Sequence, residues 1–365
     1  MSKKIVVFDF YFDFIDELGN FRDRVLTKYP GSGFLKILIS SLQNSNIEYL
    51  QLCDLVRTNI EDDVTYLAVS YEPSLKRLRF LRDRNIVPFI CLSLESVNNA
   101  KSFYSNLDSI VGQFQFTYLF SGVRDFLSSE NQIKMCNLFW PYDSEMYLES
   151  VKWEEKLCLA FVASPKSERA VNYSSFLSRL IRLPRHLYNT FVFNHPIFNH
   201  QLLYSFRFEL IKYFAPKDFF YLGGRGWYKA FKYENILKGS KLFNPVNTVN
   251  EKNAFLNKFK FTLCVENAIF PGYLTEKIFD AFYSGSVPLY YGDPLININI
   301  PEDTFINLED FNDFAELESF LMSMTYEMWL EYRANILVFL STSDFKYSAE
   351  YLATKIFKNL QKNGF

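Results

Sequence analysis

In the C-terminal half, the apolar run Phe261–Val265 delivers Glu266 and Asn267 at its end, and Glu276-Lys277 opens the next amphipathic segment. Open α/β sheets bind ligands beyond the carboxyl ends of their strands, so an acid and an amide at that position are candidates for ligand contact. Thr275 is a natural N-cap and Gly285 a fitting C′ residue, which together bound a helix over 276–284. Lys277 then falls in the first turn, where the positive end of the helix dipole disfavours a cation by roughly 0.3–1 kcal/mol. Two readings are open. A bound phosphate group would remove the conflict, because N-terminal amides and a lysine together make an anion site. Alternatively, Lys277 extends into solvent and pairs with a nearby acid.

Other residues invite the same pairing of readings. Arg169 follows Leu157–Ala163, just past a predicted strand end, and is either a planar donor for a diphosphate or an exposed loop arginine. Gly223-Gly224, after Phe219–Leu222, either lets a nucleotide base approach the backbone or forms a tight turn. Glu95 ends the apolar run Val87–Leu94 and is either a solvated acid or the best general-base carboxylate of the N-terminal half. Of the three histidines, His195 and His200 are five apart with Pro196 between them, a spacing that suits no usual metal site. Asp-x-Asp does not occur, nor do the Walker A loop, Gly-x-Gly-x-x-Gly or Gly-x-Ser-x-Gly. Metal-bridged sugar-nucleotide binding, ATP hydrolysis, nicotinamide chemistry and hydrolase nucleophiles therefore lack support.

Alternating strand and helix patterns must position these residues. The N-terminal half predicts strands at Lys4–Tyr11, Ile47–Asp54, Val64–Tyr71 and Val87–Leu94, with weaker ones at Asp108–Val111 and Met135–Trp140. Helical stripes lie between them at Phe34–Gln43 and after Pro73. A polar break from Trp140 to Glu155 reads as a linker. Strands at Leu157–Ala163, Phe191–Phe193, Phe219–Leu222, Phe261–Val265 and Val287–Tyr291 then alternate with helices at Tyr173–Leu183, Leu202–Phe214, Asn253–Lys258 and Glu276–Ser284. Such alternation implies parallel sheets covered by helices. The expected organisation is an N-terminal Rossmann-like domain over 1–150, a second over 151–345, and a C-terminal helix over 346–365 that packs back on the first. A ligand is expected in the cleft between the two domains.

The 365 residues suit two domains at about 150 residues each. A hydrophobic share of 49% and a charged share of 22% argue against disorder. With 39 basic and 41 acidic residues the net charge is −2, so no broad nucleic-acid footprint is expected and any anion must be held by a few local cations. Asp9 and Asp13 interrupt the first apolar run too early for a signal peptide, and no run approaches the ~18 apolar residues of a membrane span. Five widely spaced cysteines, all in or beside apolar runs, read as buried free thiols in a reducing compartment, so a cytoplasmic protein is expected.

From Phe261 to Pro294 the pattern becomes specific. Cys264-Val-Glu266-Asn267, Gly272-Tyr273-Leu-Thr275-Glu276-Lys277-Ile278 and Pro288-Leu-Tyr-Tyr-Gly292-Asp-Pro294 closely resemble the signature of the α1,3-fucosyltransferases, glycosyltransferase family 10. Upstream, Ala160–Pro165 with Arg169 is similar to that family's strand and phosphate-binding arginine, and Phe219–Gly224 to its glycine-containing segment. The resemblance implies a GT-B fold, with two Rossmann-like domains whose parallel sheets face a central cleft. It implies GDP-fucose bound by the C-terminal domain and an oligosaccharide acceptor bound by the N-terminal one. By the same analogy Arg169 and Lys277 contact the diphosphate, Asn267 lies beside it, and Glu266, Tyr273, Glu276, Gly223 and Gly224 belong to the donor site. Glu95 occupies the place of the base.

The activity so implied is inverting transfer of L-fucose to a hydroxyl of an N-acetylglucosamine- or glucose-containing glycan, α1,3 or alternatively α1,4. The alternatives are a different nucleotide sugar, or a catalytically silent carbohydrate-binding protein on the same scaffold. No cofactor or metal site is expected beyond the GDP-fucose substrate, with stimulation by Mn²⁺ or Mg²⁺ and peripheral membrane association left open.

Overall fold

The computed structural model describes residues 3–16, 19–23, 25–26, 31–55, 61, 63–143, 151–163, 196–198, 200–224, 227, 241–242, 249–342 and 345–362. The chain divides into two compact units. One comprises Met1–Asp143, His195–Asn199 and Asp344–Phe365, and the other comprises Ser144–Asn194 and His200–Ser343. The predicted helix 173–183 and strand 191–193 lie outside the described residues.

The first unit is built on six parallel strands: β1 (Lys3–Asp9), β2 (Tyr49–Gln51), β3 (Val64–Tyr71), β4 (Ile86–Leu92), β5 (Phe116–Leu119) and β6 (Met135–Asn137). Their order is β2-β1-β3-β4-β5-β6. The central strands are near-continuous apolar runs, as strands covered on both faces must be. Helix α1 (Gly33–Asn44) buries Phe34, Leu35, Leu38, Ile39 and Leu42, the face read from its spacing. Helix α2 (Leu75–Asp83) starts at Ser74, whose hydroxyl accepts from the Arg77 amide at 3.2 Å.

Three expectations fail in this unit. Leu107–Val111 is a short helix rather than a strand, because Leu107, Ile110 and Val111 bury together at helical spacing while Asp108 bonds Ser128 and Asn131. Strand β5, unread in the sequence, fills the place between β4 and β6. The extended segment 47–54 is also shorter than read, since Leu52–Leu55 turns into a helix. That turn buries Leu52 and Leu55 and leaves Cys53 exposed, so the expectation of buried thiols fails there; Cys91 and Cys264 are buried, and Cys136 and Cys158 are partly so.

The second unit holds β7 (Leu157–Val162), β8 (Phe220–Gly223), β9 (Lys241–Leu242), β10 (Phe259–Val265), β11 (Val287–Tyr291) and β12 (Ile306–Asn307). All are parallel, in the order β12-β11-β10-β7-β8-β9. The order reverses between β7 and β10, so the crevice at their carboxyl ends is the topological switch point, the place where such sheets take ligands. Around the sheet run α3 (Tyr204–Phe214), α4 (Val249–Leu256), α5 (Glu276–Ser284), α6 (Phe314–Ser323) and α7 (Tyr326–Leu340). After them the chain returns to the first unit. Ala349 bonds the Tyr142 carbonyl at 2.9 Å, and the last helix, α8 (Ala349–Gln361), packs on α1. Among the described residues, no helix is long and apolar enough to cross a membrane.

Candidate active site

β10 is buried almost throughout, and this apolar strand ends by placing a carboxylate and an amide in the crevice: Glu266 is wholly buried and Asn267 nearly so. A buried carboxylate needs partners that satisfy both oxygens. Glu266 has them. Its Oε1 accepts from the Thr275 amide at 2.9 Å, the Thr275 hydroxyl lies 2.9 and 2.8 Å from the two oxygens, and Lys277 Nζ donates to Oε2 at 2.8 Å.

Thr275 does precede α5, but its hydroxyl does not cap the helix; it donates to Glu266 and accepts from Lys277 Nζ instead of from a helix amide. Gly285 closes the helix in the left-handed region (φ 80°). Helix α5 is fixed by burial of Ile278, Phe279, Ala281 and Phe282, and the Cys264 thiol donates to the Lys277 carbonyl at 3.2 Å.

Gly292, after β11, makes room for Glu266. A Cβ there would lie 2.5 Å from Glu266 Cγ and 2.9 Å from the Tyr290 hydroxyl oxygen. Pro294 ends the same turn, where Asp293 accepts from the Gly272 amide at 2.8 Å and the Leu295 amide at 2.9 Å. The two loops flanking the crevice are thus tied to each other.

Lys277 is 15% exposed and is committed to Glu266 and to Thr275 Oγ1, the latter at 2.7 Å, with a looser 3.4 Å approach to Glu276. Of the two readings of this lysine, pairing with an acid is present in the structure, although inside the protein rather than in solvent. Burial alone would depress its ammonium, but Glu266 and Glu276 more than reverse this and raise its pKa. For Glu276 burial pushes upward, and Lys277 and then Lys252 outweigh it, bringing the carboxyl down to about 2. Lys252 of α4 is bonded to buried Asp280 of α5, which adds a second ion pair behind the first.

Sequence reasoning missed Arg207. It lies on α3, is 3% exposed, and donates to the Val265 carbonyl and, at 3.1 Å, to Asn267 Oδ1. Asn267 Nδ2 in turn donates to the Tyr273 hydroxyl at 3.2 Å. Arg207 therefore orients an amide at the mouth of the crevice. Its only signal was an arginine on the apolar face of a predicted helix, which by itself does not reveal a partner sixty residues away.

The structure thus brings together Glu266, Asn267, Tyr273, Glu276 and Lys277. Gly223 and Gly224 lie at the end of β8. Gly224 (φ 113°) sits so close to β7 that a Cβ would meet the Ala163 carbonyl oxygen at 1.8 Å, so its lack of a side chain is used for that backbone approach. Arg169 lies outside the described residues. Glu95 belongs to the other unit, in the loop after β4, where it is half-buried and its Oε2 accepts from Asn99 at 2.8 Å. His200 packs edge-on against Phe270. Among the described residues, no cluster of three or more His, Cys, Asp or Glu could hold a metal.

The stretch bearing this cluster is also what known proteins share. Residues 236–362 match the model of the glycosyltransferase family 10 (fucosyltransferase) C-terminal domain. The chain is 39% identical over 84 residues to the α-(1,3)-fucosyltransferase FucT of Helicobacter pylori, covering 23% of this chain and 18% of that protein. It is 44% identical over 77 residues to the 4-galactosyl-N-acetylglucosaminide 3-α-L-fucosyltransferase 9 of Mus musculus, covering 20% of this chain and 21% of that one. The chain thus spans about a fifth of the length of these relatives.

At the level of fold the likeness is wider. An α1,3-fucosyltransferase solved with GDP superposes with a TM-score of 0.52 at 16% identity, covering 100% of this chain and 92% of that one. The Anabaena protein HepE with UDP gives 0.53 at 9% identity, covering 99% and 100%. The two parallel-sheet α/β units are of the GT-B class.

Proposed function

We propose that the protein transfers L-fucose from GDP-fucose, with inversion, to a hydroxyl of an N-acetylglucosamine- or glucose-containing glycan. One observation carries the reading: the Glu266–Thr275–Lys277 cluster stands at the switch point of the second sheet, within the family 10 stretch. The names of the relatives support fucose as the sugar and position 3 as the linkage.

The chemistry follows from charge. Breaking the bond to the diphosphate builds positive charge on the sugar ring and negative charge on the leaving group. Preorganised cations and helix amides aimed at the leaving group lower that barrier. Lys277 has three N–H bonds. Two are held by Glu266 and Thr275 at 2.8 and 2.7 Å, and the third faces Glu276 at 3.4 Å, the loosest contact and the one a phosphate oxygen can take over.

Glu266 is the anchor that keeps Lys277 charged and in place. Glu276, ionised throughout the working range, offers acceptor oxygens to sugar or ribose hydroxyls. Asn267, oriented by Arg207, and Tyr273 complete the donor side, with Arg169 as a second cation for the diphosphate. Glu95 takes the proton from the acceptor hydroxyl as the oxygen attacks the anomeric carbon, a contribution of typically 10²–10⁴-fold. One direct displacement turns a β-linked donor into an α-linked product.

The test is incubation with GDP-fucose and a panel of short glycans, followed by mass detection of a deoxyhexose increment. An increment on N-acetylglucosamine-containing glycans is expected. Transfer only from a UDP-sugar, or no transfer from any nucleotide sugar, would overturn the reading.

A further inference from the structure

The first unit carries a cavity of about 410 Å³ at the β6 edge of its sheet, between strands β5 and β6 and helix α8. Tyr118 of β5 and Cys136 and Asn137 of β6 line one side. The other side is α8, which buries Leu352, Ala353, Ile356 and Leu360 and packs on α1.

The charge of the lining has one sign. Arg124, from the short helical turn Ser121–Phe126 after β5, meets Lys355, Lys358 and Lys362 there. Among the described residues, no Asp or Glu lines the cavity, and none of these four cations forms an ion pair. Arg124 donates to the Gln132 carbonyl at 3.2 Å, a neutral partner that leaves its charge uncompensated. With 39 basic and 41 acidic residues in the chain, this excess is local and does not follow from composition.

Lysines in the last turn of a helix complement its dipole. That accounts for Lys358, but not for Lys355, which precedes the last turn, nor for Arg124, which comes from another element. Spacings of three and four residues also set the three lysines along one side of the helix, where like charges repel. A cleft lined by one sign of charge focuses its field on a ligand of the opposite sign.

The remaining groups suit a ligand with a body as well as a charge. Phe139 and Tyr351 meet edge to face, 6.1 Å between ring centres, and line the same cavity. The buried Tyr118 hydroxyl accepts from Asn359 Nδ2 at 2.8 Å, which leaves its own proton to donate.

We propose that this cavity is a second binding site, in the unit that does not hold the Glu266–Lys277 cluster, for a phosphate monoester. Arg124 and the three lysines hold the phosphate oxygens, and Phe139 and Tyr351 line the body that carries them. A planar guanidinium and several ammonium groups match a doubly charged oxyanion, and the volume falls within the ~300–1,000 Å³ of small-ligand pockets. Soluble sugar phosphates and the headgroup of phosphatidic acid both carry this group, and the test separates the two sources.

Cys136, partly buried in the lining, is the reporter, and exposed Cys53, outside it, is the internal control. Burial pushes the Cys136 thiol up, and the Lys355 and Arg124 charges oppose that rise. A bound anion covers the sulfur and cancels those charges, so alkylation slows on both counts. In the full chain treated with iodoacetamide, glucose 6-phosphate is expected to slow Cys136 alkylation about 5-fold or more, read by site-resolved mass spectrometry. Cys53 is expected to be unaffected, and sodium chloride at the same ionic strength to have no effect on Cys136. Protection is expected to be lost in the Lys355→Gln, Lys358→Gln double variant and kept in Lys76→Gln, an exposed lysine on α2. In the second arm, protection by phosphatidylcholine vesicles containing phosphatidic acid, without protection by glucose 6-phosphate, assigns the phosphate site to a lipid headgroup. No protection in either arm, equal protection by sodium chloride, or undiminished protection in the double variant overturns the proposal.

Discussion

Each unit places acidic residues beyond the carboxyl ends of its parallel strands, and the two sets are held in opposite ways. In the second unit, Glu266 and Glu276 are neutralised by Lys277 and Lys252, and the carboxyl of Glu276 is held down at about 2. In the first unit, burial pushes the Glu72 carboxyl up to about 7, against the Ser93 hydroxyl that donates to it. Around neutral pH Glu276 keeps its charge while Glu72 can gain or lose a proton. A site that stabilises a leaving diphosphate needs constant charge, and a site that accepts a proton needs a group that titrates where it works.

The sharpest way to break the contrast is Lys277→Ala. It leaves wholly buried Glu266 without its cation, so a loss of about 3–5 kcal/mol in denaturant unfolding is expected, with GDP binding lost in calorimetry. Next comes Glu95→Ala, which is expected to leave GDP binding intact and lower turnover at least ~100-fold. Equal turnover in variant and parent would remove Glu95 from the mechanism. Gly292→Ala tests the packing beneath Glu266. Its methyl group must displace the carboxylate stem, so a loss of about 1–3 kcal/mol in thermal unfolding is expected, together with weaker GDP binding.

The smallest effect concerns acid. The Glu276 pKa is lower folded than unfolded, so its contribution to stability is present above the unfolded value and fades as pH falls from about 4.5 toward about 2. Glu276→Gln should therefore unfold with a shallower pH dependence in that window, as read by circular dichroism. For Glu72 the sign is opposite. Its raised folded value makes wild type lose stability as pH rises from about 4.5 to about 7, and Glu72→Gln should lose less.

The second unit was the more legible in sequence. Helix 276–284 and strand 287–291 stand where apolar patterning, Gly285 and Pro294 put them, because each signal is local. The first unit was harder. Ile110 and Val111 looked like a strand on propensity, yet Leu107 three and four residues earlier completes a buried helical face. β5 was overlooked because Phe116–Leu119 is only four residues long, and its neighbours β4 and β6 are distant in sequence. The same holds for the site. Glu266, Asn267 and Lys277 announce themselves by position at a strand end and a helix start. Arg207, the turn of Thr275 toward Glu266 and the strained backbone of Glu72 arise from contacts that local spacing does not encode.

A crystal structure of the full chain with GDP tests the central claim most directly. The diphosphate is expected at the carboxyl ends of β7 and β10, with a phosphate oxygen about 3 Å from Lys277 Nζ and the Glu266 contact retained. GDP bound elsewhere, with Lys277 still bonded only to Glu266, Thr275 and Glu276, would contradict it.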